Sequence, residues 1–221
     1  METETRVVDA QKDYIVLFKR SGLDTVPLKK EREKSSLLSY AAELYPECLL
    51  VGGDNYWEGG VLHRLDRPTS GLVLVARNQK FYDRMIEEQK KGGFIKSYLA
   101  RTEESVIPEG FPPFPFALKE GLAIHSKFRK YGRGGKAVRP IDPSSYLYER
   151  TEREYETMVE RIDGHDFHLK LQRGFRHQIR CHLAWSGNAI AGDLLYGGKK
   201  RDSFGLVSYA LEFMGERVSL L

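Results

Sequence analysis

Cysteine, tryptophan and long apolar runs are nearly missing from this 221-residue chain, and each shortage closes a class of function. Its two cysteines, Cys48 and Cys181, match no metal or redox spacing and build no disulfide framework. No apolar run approaches the roughly 18 residues that a membrane span requires, so no membrane partner is expected. The amino terminus METETRVVDAQKD is polar and partly acidic, unlike a signal or transit peptide, which makes the cytoplasm the expected compartment. There is no internal repeat and no low-complexity linker. His177 and His182 are five residues apart, about 140° around an ideal helix, and no H-E-x-x-H is present, so no metal is expected. No G-x-S-x-G elbow exists, and Ser70 has no evident base. The segment GGDNYWEGG lacks the Lys-Ser/Thr ending of a phosphate loop, and no cofactor motif occurs elsewhere.

What is present is a globular composition, 41% hydrophobic and 30% charged, which suits one large domain or two small subdomains sharing a core. Net charge is only +4, but its distribution is uneven. Lys127, Arg129, Lys130, Arg133, Lys136 and Arg139 occur together without an acidic residue, interleaved with Phe128 and Tyr131. Basic groups, stacking rings and a backbone loosened by Gly132, Gly134 and Gly135 predict either a mobile nucleic-acid contact or a solvated loop.

Periodicity predicts a strand over Tyr14–Phe18, left by a turn at Lys19–Gly22. Ser35 or Ser36 should cap a helix with Leu37, Leu38, Ala41 and Leu44 on one face, closed by Pro46. Leu72–Ala76 reads as a strand. Asn78 then caps a helix with the stripe Phe81, Tyr82, Met85 and Ile86, ended by Gly92-Gly93. Ile95–Arg101 reads as a strand, and the Pro-rich stretch 107–115 as a connection. Tyr155–Ile162 and Phe167–Leu171 should pair through a turn at Asp163-Gly164. RHQIRCHLAWSG reads as a helix stopped by Gly187, with Ile179 and Leu183 inward and Arg176 and Arg180 beside them. Strand blocks with helices between them indicate an α+β fold.

The stretch HRLDRPTSG, residues 63–71, places charged residues directly before an apolar strand. Burying an unpaired charge is costly, so the cluster must be exposed or internally paired. A bland role for Asp66 is to brace its own turn through nearby amides. Arg180, on a helix with one apolar flank, would make a partner for a buried carboxylate.

Here the chain resembles the RluA-type RNA pseudouridine synthases. His63-Arg64-Leu65-Asp66 followed by Thr69-Ser70-Gly71 is similar to that family's signature, and Lys96-Ser97-Tyr98-Leu99-Ala100 to its second block. His177-Gln178-Ile179-Arg180-Cys181-His182-Leu183, with Gly187, Ile190, Gly192-Asp193 and Tyr196-Gly197, is similar to the third. The resemblance runs from about residue 10 onward. It departs where Arg173, Gly174 and Phe175 replace Thr-Gly-Arg, where Lys19-Arg20-Ser21-Gly22 replaces Lys-Pro-x-Gly, and where Val207-Ser208-Tyr209 replaces a histidine.

The resemblance implies a single catalytic domain over 1–221 without an S4-type RNA-binding domain. The implied fold is a mixed, mainly antiparallel sheet with flanking helices and a central catalytic cleft. It also implies isomerisation of uridine in ribosomal or transfer RNA by a monomer that needs no cofactor. Asp66 would act at the sugar, Arg180 would pair with it, and Tyr98 would stack on the uracil and handle the C5 proton. Leu171 and Ile179 would wall the base or serve as core, and Arg64 would fill the gap left by an extruded uridine or form a salt bridge. Asp193 and Tyr196 would support the site. Lys127, Arg129, Lys130 and Arg133 would contact RNA. Two other readings are a catalytically silent RNA-binding protein and a hydrolytic nucleosidase, for which Asp193 is the one candidate second carboxylate.

Overall fold

The computed structural model describes residues 4–27, 35–53 and 55–220. The chain forms two compact units, one of residues 1–96 with 207–221 and one of residues 97–206. In the first, β1 (Arg6–Ala10) and β2 (Tyr14–Lys19) form an antiparallel pair. Every residue of β2 is buried, Lys19 included, so the predicted turn residue Lys19 is the strand's last residue. Helix α1 (Leu37–Leu44) starts where the Ser36 hydroxyl accepts the Ser39 N–H, as a serine N-cap should. Leu37, Leu38 and Ala41 face the core, whereas Leu44 is exposed, because the helix stops there before its face can close. After β3 (Ser70–Ala76), the Asn78 side chain accepts from Phe81 N–H and opens α2 (Gln79–Lys91). Gly92, with φ of 79°, closes that helix in the left-handed conformation. Phe81, Tyr82 and Met85 pack with Val16, Leu72, Leu74 and Phe94 in the unit's core. Burial of this kind, about 25 cal/mol per Å² of apolar surface, is the main source of its stability.

β4 (Ile95–Glu104) leads into the second unit. The Pro-rich stretch 107–115 holds no helix or strand, as predicted. β5 (Ala123–Ser126) is followed by a regular hairpin of β6 (Phe128–Tyr131) and β7 (Ala137–Pro140). The basic segment is therefore an ordered ribbon, not the loosened loop that its glycines suggested. Gly132, Gly134 and Gly135 take φ of 73°, 67° and 64°, so they build the tight turn between the strands. A short helix, α3 (Tyr146–Arg150), precedes the antiparallel pair β8 (Tyr155–Asp163) and β9 (Asp166–Leu171), joined through Gly164. Helix α4 (Gln178–Trp185) is buried at all eight positions. It is an internal helix and not the amphipathic one expected, and Arg176 lies outside it. β10 (Asn188–Ile190) pairs antiparallel with β4. The sheet of this unit runs β4-β9-β8-β5.

The chain then returns to the first unit as β11 (Leu206–Phe213) and β12 (Glu216–Ser219). There the order is β1-β2-β3-β11, with β12 on β11. Here β1–β2, β2–β3 and β11–β12 are antiparallel and β3–β11 is parallel, in the register Val207 to Ser70 and Ser208 to Gly71. These features are those of an α+β protein with a mainly antiparallel sheet. Gly71 has φ of 122°, and a Cβ there would stand 2.2 Å from the Ser208 carbonyl oxygen and 2.5 Å from its nitrogen. The glycine of Thr69-Ser70-Gly71 is thus a requirement of the β3–β11 contact. Gly71→Ala should cost about 2–4 kcal/mol, the sum of overpacking and backbone strain. Urea unfolding checks this, and an unchanged midpoint would contradict the close approach.

Candidate active site

Asp66 sits in a turn whose backbone is fixed from several directions. Thr69 N–H donates to the Asp66 carbonyl at 3.0 Å and closes the turn. The Thr25 hydroxyl both donates to the Leu65 carbonyl at 3.0 Å and accepts the Leu65 N–H at 3.1 Å. Gly22 N–H donates to the Arg67 carbonyl at 2.8 Å, and Arg67 Nε returns a bond to the Gly22 carbonyl at 3.0 Å. The Ser21 hydroxyl reaches the Pro68 carbonyl at 2.7 Å. The departure Lys19-Arg20-Ser21-Gly22 is therefore still a working clamp on the signature turn.

Beneath it lies Lys19, 0% exposed. Its Nζ donates to the carbonyls of Leu23 at 2.7 Å, Arg20 at 3.2 Å and Arg67 at 3.3 Å. Burial pushes its pKa down to about 8, against an opposing pull from the Asp24 and Asp66 carboxylates. The sequence reading missed Lys19, although a lysine in register with a fully apolar strand was the available signal. The stretch 63–71, which the resemblance implies is a buried, internally paired catalytic turn, is less enclosed than that. Asp66 is half-buried, Arg64 and Arg67 are exposed, and the fully buried charge is the lysine. Arg64 pairs with Glu58 at 2.7 Å, with its own side chain 62% exposed, an exchangeable contact.

Half-buried His63 and buried Lys96 form a second group of this unit. His63 Nε2 accepts the Leu74 N–H at 3.2 Å, and its ring meets Phe94 edge-on. Burial, with the Lys96 charge adding to it, lowers its pKa to about 3 and keeps the ring neutral. Lys96 Nζ donates to the Phe94 carbonyl at 3.1 Å and stands 4.3 Å from that ring's centroid; burial lowers its pKa to about 7.

In the second unit Tyr98, Leu171, Ile179 and Arg180 are all buried. Tyr98 comes from β4, Leu171 ends β9, and the last two lie in the first turn of α4. Arg180 makes a bidentate pair with Asp193, Nε to Oδ2 at 2.7 Å and Nη2 to Oδ1 at 2.8 Å. Its guanidinium also lies 5.2 Å from the Tyr196 ring and 5.4 Å from the Phe204 ring. Asp193, expected as support, is thus a carboxylate that holds Arg180 in place. Its backbone carbonyl takes N–H bonds from Tyr196 and Gly198, so the turn after Gly192 is fixed as well.

Tyr196 reaches the basic hairpin. Its hydroxyl accepts the Val138 N–H at 2.8 Å and donates to the Val138 carbonyl at 3.1 Å. His177 Nδ1 lies 3.2 Å from the same oxygen, on a backbone with φ of 56°, a left-handed conformation that side chains seldom adopt. Gln178 ties α4 to β8 through the Glu156 carbonyl at 2.6 Å and Thr157 Oγ1 at 3.1 Å. Phe175 stacks on Phe128 at 5.0 Å and packs beside Tyr155, so the residue that replaces the family's arginine fills an aromatic cluster. Arg176 donates to the carbonyls of Gly135 at 3.1 Å and Lys136 at 2.6 Å, and thereby holds the hairpin's turn. Among the described residues no group of three or more potential metal ligands occurs, and no helix is long and apolar enough to cross a membrane.

Two expectations follow. Because the folded pKa of Lys19 lies below the ordinary lysine value of 10.5, the unfolded chain binds more protons between about pH 8 and 10.5. The destabilisation from its burial is complete below about pH 8 and fades as pH rises toward 10.5. Wild-type stability should therefore climb relative to Lys19→Met across that window in urea titrations; parallel curves would mean that the ammonium is not buried. Breaking the Arg180–Asp193 pair should cost about 3–5 kcal/mol in either Arg180→Ala or Asp193→Ala. Arg180→Lys should recover little of it, since lysine lacks the two-pronged fork. Denaturation midpoints equal to wild type would refute the pairing.

A family model described as RNA pseudouridylate synthase matches residues 13–185. Among curated proteins, the chain is similar to ribosomal large subunit pseudouridine synthase D of Yersinia pestis, 26% identical over 196 residues, which is 88% of this chain and 53% of that protein. The protein of the same name from Haemophilus ducreyi is 28% identical, again over 88% of this chain and 53% of its own length. The chain spans about half the length of these relatives. Two solved human structures share the fold. RNA pseudouridylate synthase domain containing 1 gives a TM-score of 0.66 at 20% identity, covering 98% of this chain and 82% of the other. Domain containing 4 gives 0.62 at 17%, covering 97% and 87%. The matched span holds Asp66, Tyr98 and Arg180 on the scaffold described above, and the chain belongs to the RNA pseudouridylate synthase family.

Proposed function

We propose that this chain isomerises uridine in RNA to pseudouridine, with Asp66 as the essential carboxylate. The observation that carries this reading is the Asp66 turn. Its backbone is bonded to the 19–25 segment at residue after residue, while the carboxylate-bearing residue remains half-exposed. Such fixation suits a group that must be aimed before the substrate arrives. The reaction breaks N1–C1′, rotates the uracil and forms C5–C1′, with the C5 proton removed and N1 protonated. No electrons are exchanged and no group is imported, so the chemistry asks for no cofactor.

Asp66 serves the sugar, as nucleophile, as charge stabiliser or as base toward a sugar proton. Tyr98 supplies a ring face for the uracil and a hydroxyl for the C5 proton. Arg180 is the site's guanidinium, held ready by Asp193. Leu171 and Ile179 furnish apolar walls. Arg64 can leave Glu58 to fill the space of an extruded uridine, because a paired base is out of reach until it leaves the stack. Lys127, Arg129, Lys130 and Arg133 on the hairpin contact phosphates and position the RNA without reading its sequence.

The names of the relatives make ribosomal RNA of the large subunit the first substrate to test, with transfer RNA the second. The enzyme in this reading is a cytoplasmic monomer. Hydrolysis is disfavoured by a specific observation: Asp193, the candidate second carboxylate, is buried and occupied on both oxygens by Arg180, leaving it unsuited to activate water.

Asp66→Ala and Asp66→Asn should both abolish tritium release from RNA labelled at uridine C5, with thermal stability kept close to wild type. Mapping pseudouridine in total RNA with and without the gene identifies the target. Turnover by either variant, or release of free uracil by the wild type, would overturn the reading.

A further inference from the structure

The register of the basic hairpin places Arg129 directly opposite Arg139. Like charges in directly opposed positions of an antiparallel pair destabilise it, so the arrangement asks for an anion. Nothing near in the sequence supplies one, since no Asp or Glu occurs between Glu120 and Asp142. Among the described residues the Arg129 side chain has no hydrogen-bond or ion-pair partner. Arg139 is oriented instead: its Nη1 donates to the Gly110 carbonyl, and its guanidinium stands 5.3 Å from the Tyr131 ring centroid. Both arginines line an open pocket of about 480 Å³, together with Lys130, Tyr131 and the glycines of the turn. They also border a neighbouring hollow of about 310 Å³ beside Phe111, Pro112, Ser145 and Asp142, whose Oδ1 already accepts the N–H and hydroxyl of Ser144.

Gly132 and Gly134 line the larger pocket on its open side. A Cβ on Gly132 or Gly134 would meet no atom within 4 Å. Arg176 takes up the carbonyls of Gly135 and Lys136, which holds the turn and adds a further positive charge beside it.

We infer that Arg129 and Arg139 form a two-guanidinium clamp for a single phosphodiester of the bound RNA. This specifies one contact within the proposed RNA surface and rests on that reading for the identity of the anion. The planar fork of each arginine suits two phosphate oxygens at once, and the paired cations lose their mutual repulsion when the anion enters. The neighbouring hollow leaves room for the adjoining nucleoside.

Arg129→Gln is the decisive variant, because Arg129 makes no bond whose loss would unfold the protein. Without added anion and at low salt it should melt at or above the wild-type temperature, since the repulsion is gone. Inorganic phosphate should raise the wild-type melting temperature more than chloride at equal ionic strength, and this difference should vanish in Arg129→Gln and in Arg139→Gln. Binding of oligouridylate should weaken roughly tenfold in either variant, as expected for loss of a charge-assisted contact. The dependence of log K on log salt should flatten by about 0.7 per lost contact. Phosphate shifts and salt slopes equal to wild type would overturn the clamp, as would a lower melting temperature for Arg129→Gln without anion. A wild type that shows the shift yet makes no pseudouridine upholds the clamp and refutes the isomerase reading. Pseudouridine formation with unaltered shifts and slopes in both variants does the reverse.

Discussion

A buried ammonium constrains the first unit more than any other single group. Lys19 is removed from water at the end of an apolar strand, where an uncompensated charge would be prohibitively costly. Its three carbonyl acceptors come from Arg20, Leu23 and Arg67, so the strand end, the following turn and the Asp66 turn must all converge on Nζ. The sheet positions Lys19, Lys19 gathers the carbonyls, and the gathered backbone carries Asp66. A hydrophobic residue of similar length would fill the space but leave those carbonyls with one partner fewer.

In the second unit the corresponding constraint is the Arg180–Asp193 pair, enclosed by the rings of Tyr196 and Phe204. Two features make such a pair sustainable indoors. Both carboxylate oxygens are used, and the guanidinium faces aromatic surfaces that accept a cation. Tyr196 then extends the order outward, because its hydroxyl serves Val138 as a substitute strand neighbour and also lies against His177. The hairpin, the left-handed start of α4 and the buried arginine are thus consecutive links in one hydrogen-bonded chain.

Local signals were legible wherever the cause was local. Ser36 and Asn78 cap their helices, Gly92 ends α2, and Gly164 turns β8 into β9, all through interactions within a few residues. What could not be read depended on distant partners. α4 looked amphipathic because it contains Arg180 and His182, yet both are buried, paired with Asp193 in one case and with Ser126 and Thr157 in the other. The glycines of the basic segment suggested mobility, whereas strand pairing turned them into a fixed corner. Lys19 reads as a turn residue in the sequence because its acceptors, the carbonyls of Arg20, Leu23 and Arg67, lie in turns whose convergence only the fold reveals. Of the site, the signature positions are legible as a pattern, while Thr25, which holds the Asp66 turn through Leu65, carries no pattern of its own.

The parallel pairing of β11 with β3 has a bearing on biosynthesis. Val207 and Ser208 meet Ser70 and Gly71 only after the whole of residues 97–206 has been made. During translation the Ser70-Gly71 end of β3 therefore waits for its strand partner while the intervening unit emerges from the ribosome, whereas Leu74 and Ala76 are already bonded to Leu62 and Gly60. An uncovered strand end is a template for unwanted pairing with other chains. Loss of β11 through a premature stop would leave that end without its strand partner, next to the turn that carries Asp66, so the last strands to be made complete the support of the first block.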